Sequence, residues 1–116
     1  MPHNAFLESA HRRRTQYSLG RALPIPQDEV TALIQDAVRE SPSSFNSQSS
    51  RAVILYRAHS VTFWNLVKDA LRGIVPADAF AQTEAKIDSF AAGAGTVLFY
   101  EDQDVVRDLQ AKFPLY

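Results

Sequence analysis

Three consecutive arginines, Arg12, Arg13 and Arg14, are followed directly by Thr15. Guanidinium groups bond phosphate in a bidentate fashion and a neighbouring hydroxyl adds a neutral donor, so this run has the composition of a clamp for a single phosphate. A basic run is also the ordinary solvated end of a helix, and local pattern does not choose between the two. The second segment with chemical content is Pro42-Ser43-Ser44-Phe45-Asn46-Ser47-Gln48. Hydroxyls and two carboxamides in one short loop present alternating donors and acceptors, which suits a planar heterocycle or a polyol chain. The plain alternatives are a flexible Ser-rich connector and a phosphorylation site. Asn46 and Gln48 speak against a pure linker, because the segment joins a strong helix to a strong strand at an ordinary connection length. Loops in such positions tend to carry function.

The elements that must position these segments are legible from periodicity. Residues 4 to 13 have a short helical pattern, with Ala5, Phe6 and Ala10 apolar and the basic run at the end, where cations suit the helix dipole. Gly20 and Pro24 break the chain. Pro26 with Gln27, Asp28 and Glu29 marks a helix start, and Val30, Leu33, Ile34, Ala37 and Val38 repeat at helical spacing up to Glu40. Ser41 to Ser50 contains six Ser and no apolar period, which predicts a loop. Ala52 to Tyr56 and Thr96 to Tyr100 are continuous β-prone runs of the kind buried on both faces. Between them, His59 to Leu71 predicts a helix buried over a broad face and ended by Gly73 and Pro76. Ala77 to Ala91 predicts another, with Phe80, Ile87 and Phe90 inward. Asp102 suits the cap of a last helix whose Val105, Val106, Leu109 and Phe113 face the core, closed by Pro114.

Two interior strands are too few to close a sheet, so they predict neighbours from a partner chain or from further sequence of the same domain. The weaker signals have plainer readings. Gly93-Ala94-Gly95-Thr96 precedes a strand, whereas a dinucleotide fingerprint follows one. Lys68 falls on the polar side of its helix as a surface charge, and Trp64 reads as core. No Ser, His and Asp grouping has the spacing of a triad.

Composition sets the outer limits. The 116 residues are 46% hydrophobic and 22% charged, the range of one ordinary globular domain covering residues 1–116. With no Cys there is no disulfide framework or thiolate site, and His3, His11 and His59 lack metal-ligand spacing. Lys and Arg total 12 against 13 acidic residues, a net charge of −1 that offers no global field to nucleic acid or an anionic membrane. The longest apolar run, Ala52 to Tyr56, is far short of the roughly 20 residues that span a bilayer. The Met-Pro-His-Asn start has no charged region followed by an apolar run, and the expected location is the cytoplasm.

Arg13-Arg14-Thr15 near the start, and Pro-Ser-Ser-Phe-Asn-Ser-Gln at 42–48 between a helix and a strand, resemble the nitroreductase family of flavoproteins. The stretches 59–71 and 95–116, with Gly-Thr-Val-Leu-Phe-Tyr-Glu-Asp and Lys-Phe-Pro-Leu-Tyr, look like its small fungal and bacterial subgroup. The resemblance implies an α+β fold in which a mixed sheet is flanked by helices, of which this chain is the front half. It also implies a homodimer holding FMN at its interface, with NAD(P)H as electron donor and nitroaromatic or quinone-like compounds as acceptors. Carried over by position, Arg13 and Arg14 would meet the flavin phosphate or the polar edge of its ring, with Thr15 beside them. Pro42, Ser43 and Ser44 would line the ring and ribityl, and Asn46 and Gln48 would bond ring or ribityl oxygens. Many members have a second Arg two positions after the Ser or Thr of the first motif; here that place is Tyr17, so one phosphate contact is either missing or supplied by Arg12. No metal is implied, and no side-chain acid or base is needed where a flavin carries the redox chemistry. The alternative is a non-catalytic dimerisation or binding module of the same fold without flavin.

Overall fold

The computed structural model describes residues 3–115, and expectations that fall on Met1, Pro2 or Tyr116 lie outside the described residues. Among the described residues the elements run α1 (Ala5–Arg12), α2 (Gln27–Glu40), β1 (Ser50–Tyr56), α3 (Arg57–Arg72), α4 (Phe80–Ala91), β2 (Gly95–Glu101) and α5 (Gln103–Lys112). This is the expected α+β arrangement of helices around a small sheet.

Local chemistry accounts for most boundaries. Asn4 caps α1 by accepting the Leu7 N–H on its side-chain oxygen, and Asp102 does the same for Asp104 at the start of α5. The Ser41 hydroxyl donates to the Ala37 carbonyl at the end of α2. The fourth helix starts three residues later than its apolar pattern suggests. Pro76 opens a turn there, closed by the Ala79 N–H on the Pro76 carbonyl, before helical geometry begins at Phe80. β1 passes into α3 with no intervening loop, the change of direction being taken at Arg57, whose φ is 50°.

β1 and β2 pair antiparallel in one register, from Ser50 opposite Glu101 to Tyr56 opposite Gly95. Each strand finds only the other among the described residues. The approach at the Gly95 end is close: a Cβ there would lie 2.8 Å from the Leu55 carbonyl oxygen. α3 covers this end of the sheet through Trp64. The Trp64 ring packs near Phe90 of α4 with centroids 5.3 Å apart, and its indole N–H donates to the Thr96 hydroxyl at 2.9 Å. Ser60, 2% exposed, shares a 2.7 Å hydrogen bond with the same hydroxyl, so one side chain of β2 joins two of α3. α2 reaches the sheet through Thr31, bonded to the Tyr56 phenol at 2.9 Å.

Three expectations about burial are corrected. The strands are not enclosed on both faces: Phe99 is 72% exposed, and Tyr100 and Val53 are also exposed. The cause is that each strand has only the other beside it among the described residues, so the helices leave part of the sheet uncovered. The broad buried face of α3 is narrower than its pattern suggests, since Leu66 is exposed. Lys68, read as a surface charge, is largely covered where α3 meets α4, with its Nζ against the Asp88 carboxylate. Ile87, 7% exposed, is the one buried apolar side chain among the described residues. The Cα radius of gyration, 18.4 Å, exceeds the about 13 Å of a compact 100-residue domain. Apolar side chains such as Phe6, Leu7 and Phe99 therefore remain open to contact.

Candidate functional site

The Ser-rich segment folds into a defined loop. Ser44–Asn46 forms one tight helical turn in which the Asn46 N–H bonds the Ser43 carbonyl and the Ser47 N–H bonds the Ser44 carbonyl, both at 3.0 Å. The Gln48 N–H donates to the Ser43 hydroxyl at 2.9 Å, folding the loop back on its own start. Phe45, Asn46 and Gln48 have φ of 55°, 52° and 54°, in the left-handed region. Asn tolerates that region, but for Phe and Gln it costs on the order of 1 kcal/mol each, so the surroundings must hold them there.

The surroundings do so at both ends. Phe45 stacks on Phe113 with ring centroids 4.5 Å apart and an interplanar angle of 14°. After Gln48, the Ser49 hydroxyl donates to Glu101 Oε2 and the Ser50 hydroxyl to Glu101 Oε1 at 2.8 Å, while the Asp102 N–H bonds the Ser49 carbonyl at 2.8 Å. Arg51 donates through Nη1 to the Gln48 carbonyl at 2.6 Å and through Nη2 to Asp102 at 3.2 Å. The hydrogen bond from Ser49, then that from Ser50, hold the Glu101 carboxyl below its ordinary value of 4.5. The Arg51 charge acts in the same sense and burial against it.

The loop borders two clefts. Pro42, Ser43, Ser44 and Phe45 face Glu101 and the apolar side of α5, Val106, Leu109 and Phe113, across a space of about 450 Å³. Pro42, Ser43, Asn46 and Gln48 border a second, about 440 Å³, with Arg39, Arg51 and the exposed Phe99. Both volumes fall in the range of about 300–1,000 Å³ common for small-molecule sites. Asn46 and Gln48 bond each other weakly at 3.4 Å through Gln48 Nε2 and Asn46 Oδ1, leaving Asn46 Nδ2 and Gln48 Oε1 uncommitted among the described residues.

The arginine run sits at the end of α1. Arg12 pairs with Glu8 at 2.9 Å, so the cation that would supply the contact missing at Tyr17 already has a partner. Arg14 caps α1 through Nη1, which donates to the His11 and Arg13 carbonyls at 2.7 and 2.8 Å. Its Nη2 and Nε, and the whole Arg13 guanidinium, have no partner among the described residues. Arg13, Arg14 and Thr15 are exposed and border neither cleft of the 42–48 loop. Within one chain the two motifs are thus not brought together. Sequence reasoning gave no functional role to Ser49, Ser50, Arg51 or Glu101, and Phe113, expected to face the core, is exposed and stacks on Phe45 instead. The only local trace is the acidic pair Glu101-Asp102 directly after a strand, which by itself points to nothing.

Set against known proteins, residues 10–114 match a model of the nitroreductase family. HBN1 of Saccharomyces cerevisiae is 34% identical over 113 residues, covering 96% of this chain and 55% of the yeast protein. The nitroreductase CinD from Lactococcus lactis, solved in complex with nicotinic acid, superposes with a TM-score of 0.82 at 42% identity, covering 97% of this chain and 56% of CinD. Its complex with 4-nitrophenol gives a TM-score of 0.79 at 42% identity, with coverage of 97% and 55%. The chain belongs to the nitroreductase family, and that membership supports an oxidoreductase class of function. The chain spans about 55% of the length of the relatives it matches.

Proposed function

We propose that this chain contributes the flavin-binding portion of an FMN-dependent oxidoreductase that takes hydride from NAD(P)H and delivers it to nitroaromatic or quinone-like acceptors. The observation that carries the reading is the pairing of Arg13-Arg14-Thr15 with the 42–48 loop inside the segment matched to the nitroreductase family. FMN, when bound, supplies the acceptance and donation of hydride. The donor set fits such a group: among the described residues Arg13 and the outer edge of Arg14 have no partner, and Asn46 and Gln48 hold uncommitted donor and acceptor atoms on a preformed loop.

In this reading Arg13 and Arg14 bind the phosphate, with the Thr15 hydroxyl as an added donor. Pro42, Ser43 and Ser44 line the ring and ribityl, while the Asn46 and Gln48 carboxamides orient the polar edge by hydrogen bonds. The separation of the two motifs in one chain supports a homodimer in which the arginines of one copy and the loop of the other complete a site. The exposed Phe6 and Leu7 on α1 offer apolar contact for such an assembly. The nitrophenol bound by CinD supports a nitroaromatic acceptor here, and its nicotinic acid, a pyridine with a carboxyl substituent, supports a nicotinamide donor. The cytoplasm remains the proposed location, and no helix among the described residues is long and apolar enough to cross a membrane.

The test is oxidation of NADH and NADPH by the purified chain with FMN and a nitroaromatic acceptor. A rate well above free FMN supports the reading. A rate equal to free FMN favours a binding module without catalysis.

A further inference from the structure

We infer that Glu101 is a positioning residue for the flavin-binding loop: gripping two consecutive hydroxyls, it fixes the strand end from which Asn46 and Gln48 are presented. The inference rests on the functional reading of that loop given above. Ser50 and Glu101 are the last paired positions of the β1–β2 ladder, so beyond them the chain leaves the sheet. Within two residues it must adopt the left-handed backbone of Gln48, and then that of Asn46 and Phe45. Nothing in the ladder itself holds Ser49. Its hydroxyl and carbonyl are instead held by Glu101 Oε2 and the Asp102 N–H, while Glu101 Oε1 takes the Ser50 hydroxyl. Arg51 adds a grip on the Gln48 carbonyl and ties it to Asp102. Loop residues Gln48 to Ser50 are therefore anchored to the junction of β2 and α5 by side chains that take no part in the apolar core.

The choice of glutamate follows from the geometry. Two hydroxyl donors on neighbouring residues are matched here one to each oxygen of a single carboxylate. Glutamine accepts one hydroxyl on its oxygen and meets the other only if that hydroxyl turns to accept from its amide, without the carboxylate charge, and alanine keeps neither contact. A merely structural role at the strand end would lower stability and leave the loop's affinity for ligand unchanged in the folded protein. A positioning role weakens ligand binding at temperatures far below unfolding.

The experiment compares Glu101→Gln, Glu101→Ala and Ser50→Ala with the unaltered full chain by amide hydrogen exchange over residues 43–50, by FMN titration and by thermal unfolding. The expected result for Glu101→Ala, which loses both hydroxyl contacts, is faster exchange in that segment and FMN binding weakened by about tenfold, a change of about 1.4 kcal/mol. Glu101→Gln is expected to fall between it and the unaltered chain. If Glu101→Ala does not fold, Ser50→Ala, which removes a single exposed hydroxyl, carries the same expectation at smaller size. Unchanged exchange over 43–50 in the folded variants overturns the inference, as does FMN binding that weakens only in step with unfolding. An unaltered chain that takes up no FMN would count against the functional reading, and the exchange arm would still decide whether Glu101 holds the loop.

Discussion

Replacing Arg14 with Ala separates the phosphate clamp from its simpler alternative, the solvated end of a helix. Nη1 of Arg14 is committed to the His11 and Arg13 carbonyls, so at most the Nη2 and Nε edge remains for a ligand. A charge-assisted hydrogen bond from that edge is worth about 1.5–3 kcal/mol, which converts to FMN affinity weakened about ten- to 150-fold. Arg12 supplies the control. It is already paired with Glu8 across one helical turn, an exposed contact worth at most about 0.5 kcal/mol, so Arg12→Ala should leave FMN affinity within about twofold. Because Arg14 also caps α1, Arg14→Lys is included: it keeps the charge and loses the planar fork, and should retain part of the affinity. Quenching of FMN fluorescence on titration gives the affinities, and circular dichroism checks that α1 survives. Equal losses for Arg12→Ala and Arg14→Ala, or an Arg14→Ala affinity within about twofold of the parent, would refute the assignment.

Three further outcomes follow from the packing and the charges. Thr96→Val leaves both the buried Ser60 hydroxyl and the Trp64 indole N–H without their shared partner, and should cost about 2–4 kcal/mol in denaturant unfolding followed by the fluorescence of Trp64, the sole tryptophan. A loss under about 0.5 kcal/mol would show that this network does not bind α3 to the sheet. Gly95→Ala places a Cβ 2.8 Å from a backbone oxygen and should lower stability by about 1–3 kcal/mol in a thermal melt, an unchanged midpoint being the contrary result. The Glu101 carboxyl titrates below its ordinary 4.5 in the folded chain. Its contribution is therefore present in full above that value and is lost as pH falls through the lower folded value. Hydrogen-exchange protection of residues 43–50 should accordingly decline in acid below about pH 4.5. Glu101→Gln should flatten that decline, and an equal decline in the variant would place its cause elsewhere.

The elements were legible wherever the period of apolar residues was set by the element itself. Val30, Leu33, Ile34, Ala37 and Val38 mark α2, and the β-prone runs around Val53 and Val97 mark both strands. Burial was less legible, because a run such as Thr-Val-Leu-Phe-Tyr records what a strand is suited to meet and not what this chain places there. Phe99 is open for that reason. Lys68 misled in the opposite direction: its helix face is polar by sequence, but α4 crosses it and brings Asp88 to the ammonium. The composition of the 42–48 loop was visible, and its shape was not. The left-handed residues Phe45 and Gln48 are ordinary by type, and what holds the loop lies more than fifty residues away at Glu101 and Phe113. Pairings at such separations leave no periodic trace. The arginine run is the reverse case, readable as chemistry from its spacing, yet in one copy of the chain it borders no cleft of the loop.

The most direct test of the account is the visible absorption spectrum of the purified chain after incubation with FMN and removal of free flavin by desalting. The account predicts a retained flavin band, reduced in the Arg14→Ala and Glu101→Ala variants. A colourless protein that is nonetheless folded would contradict the claim that Arg13, Arg14 and the 42–48 loop form a flavin site in this chain.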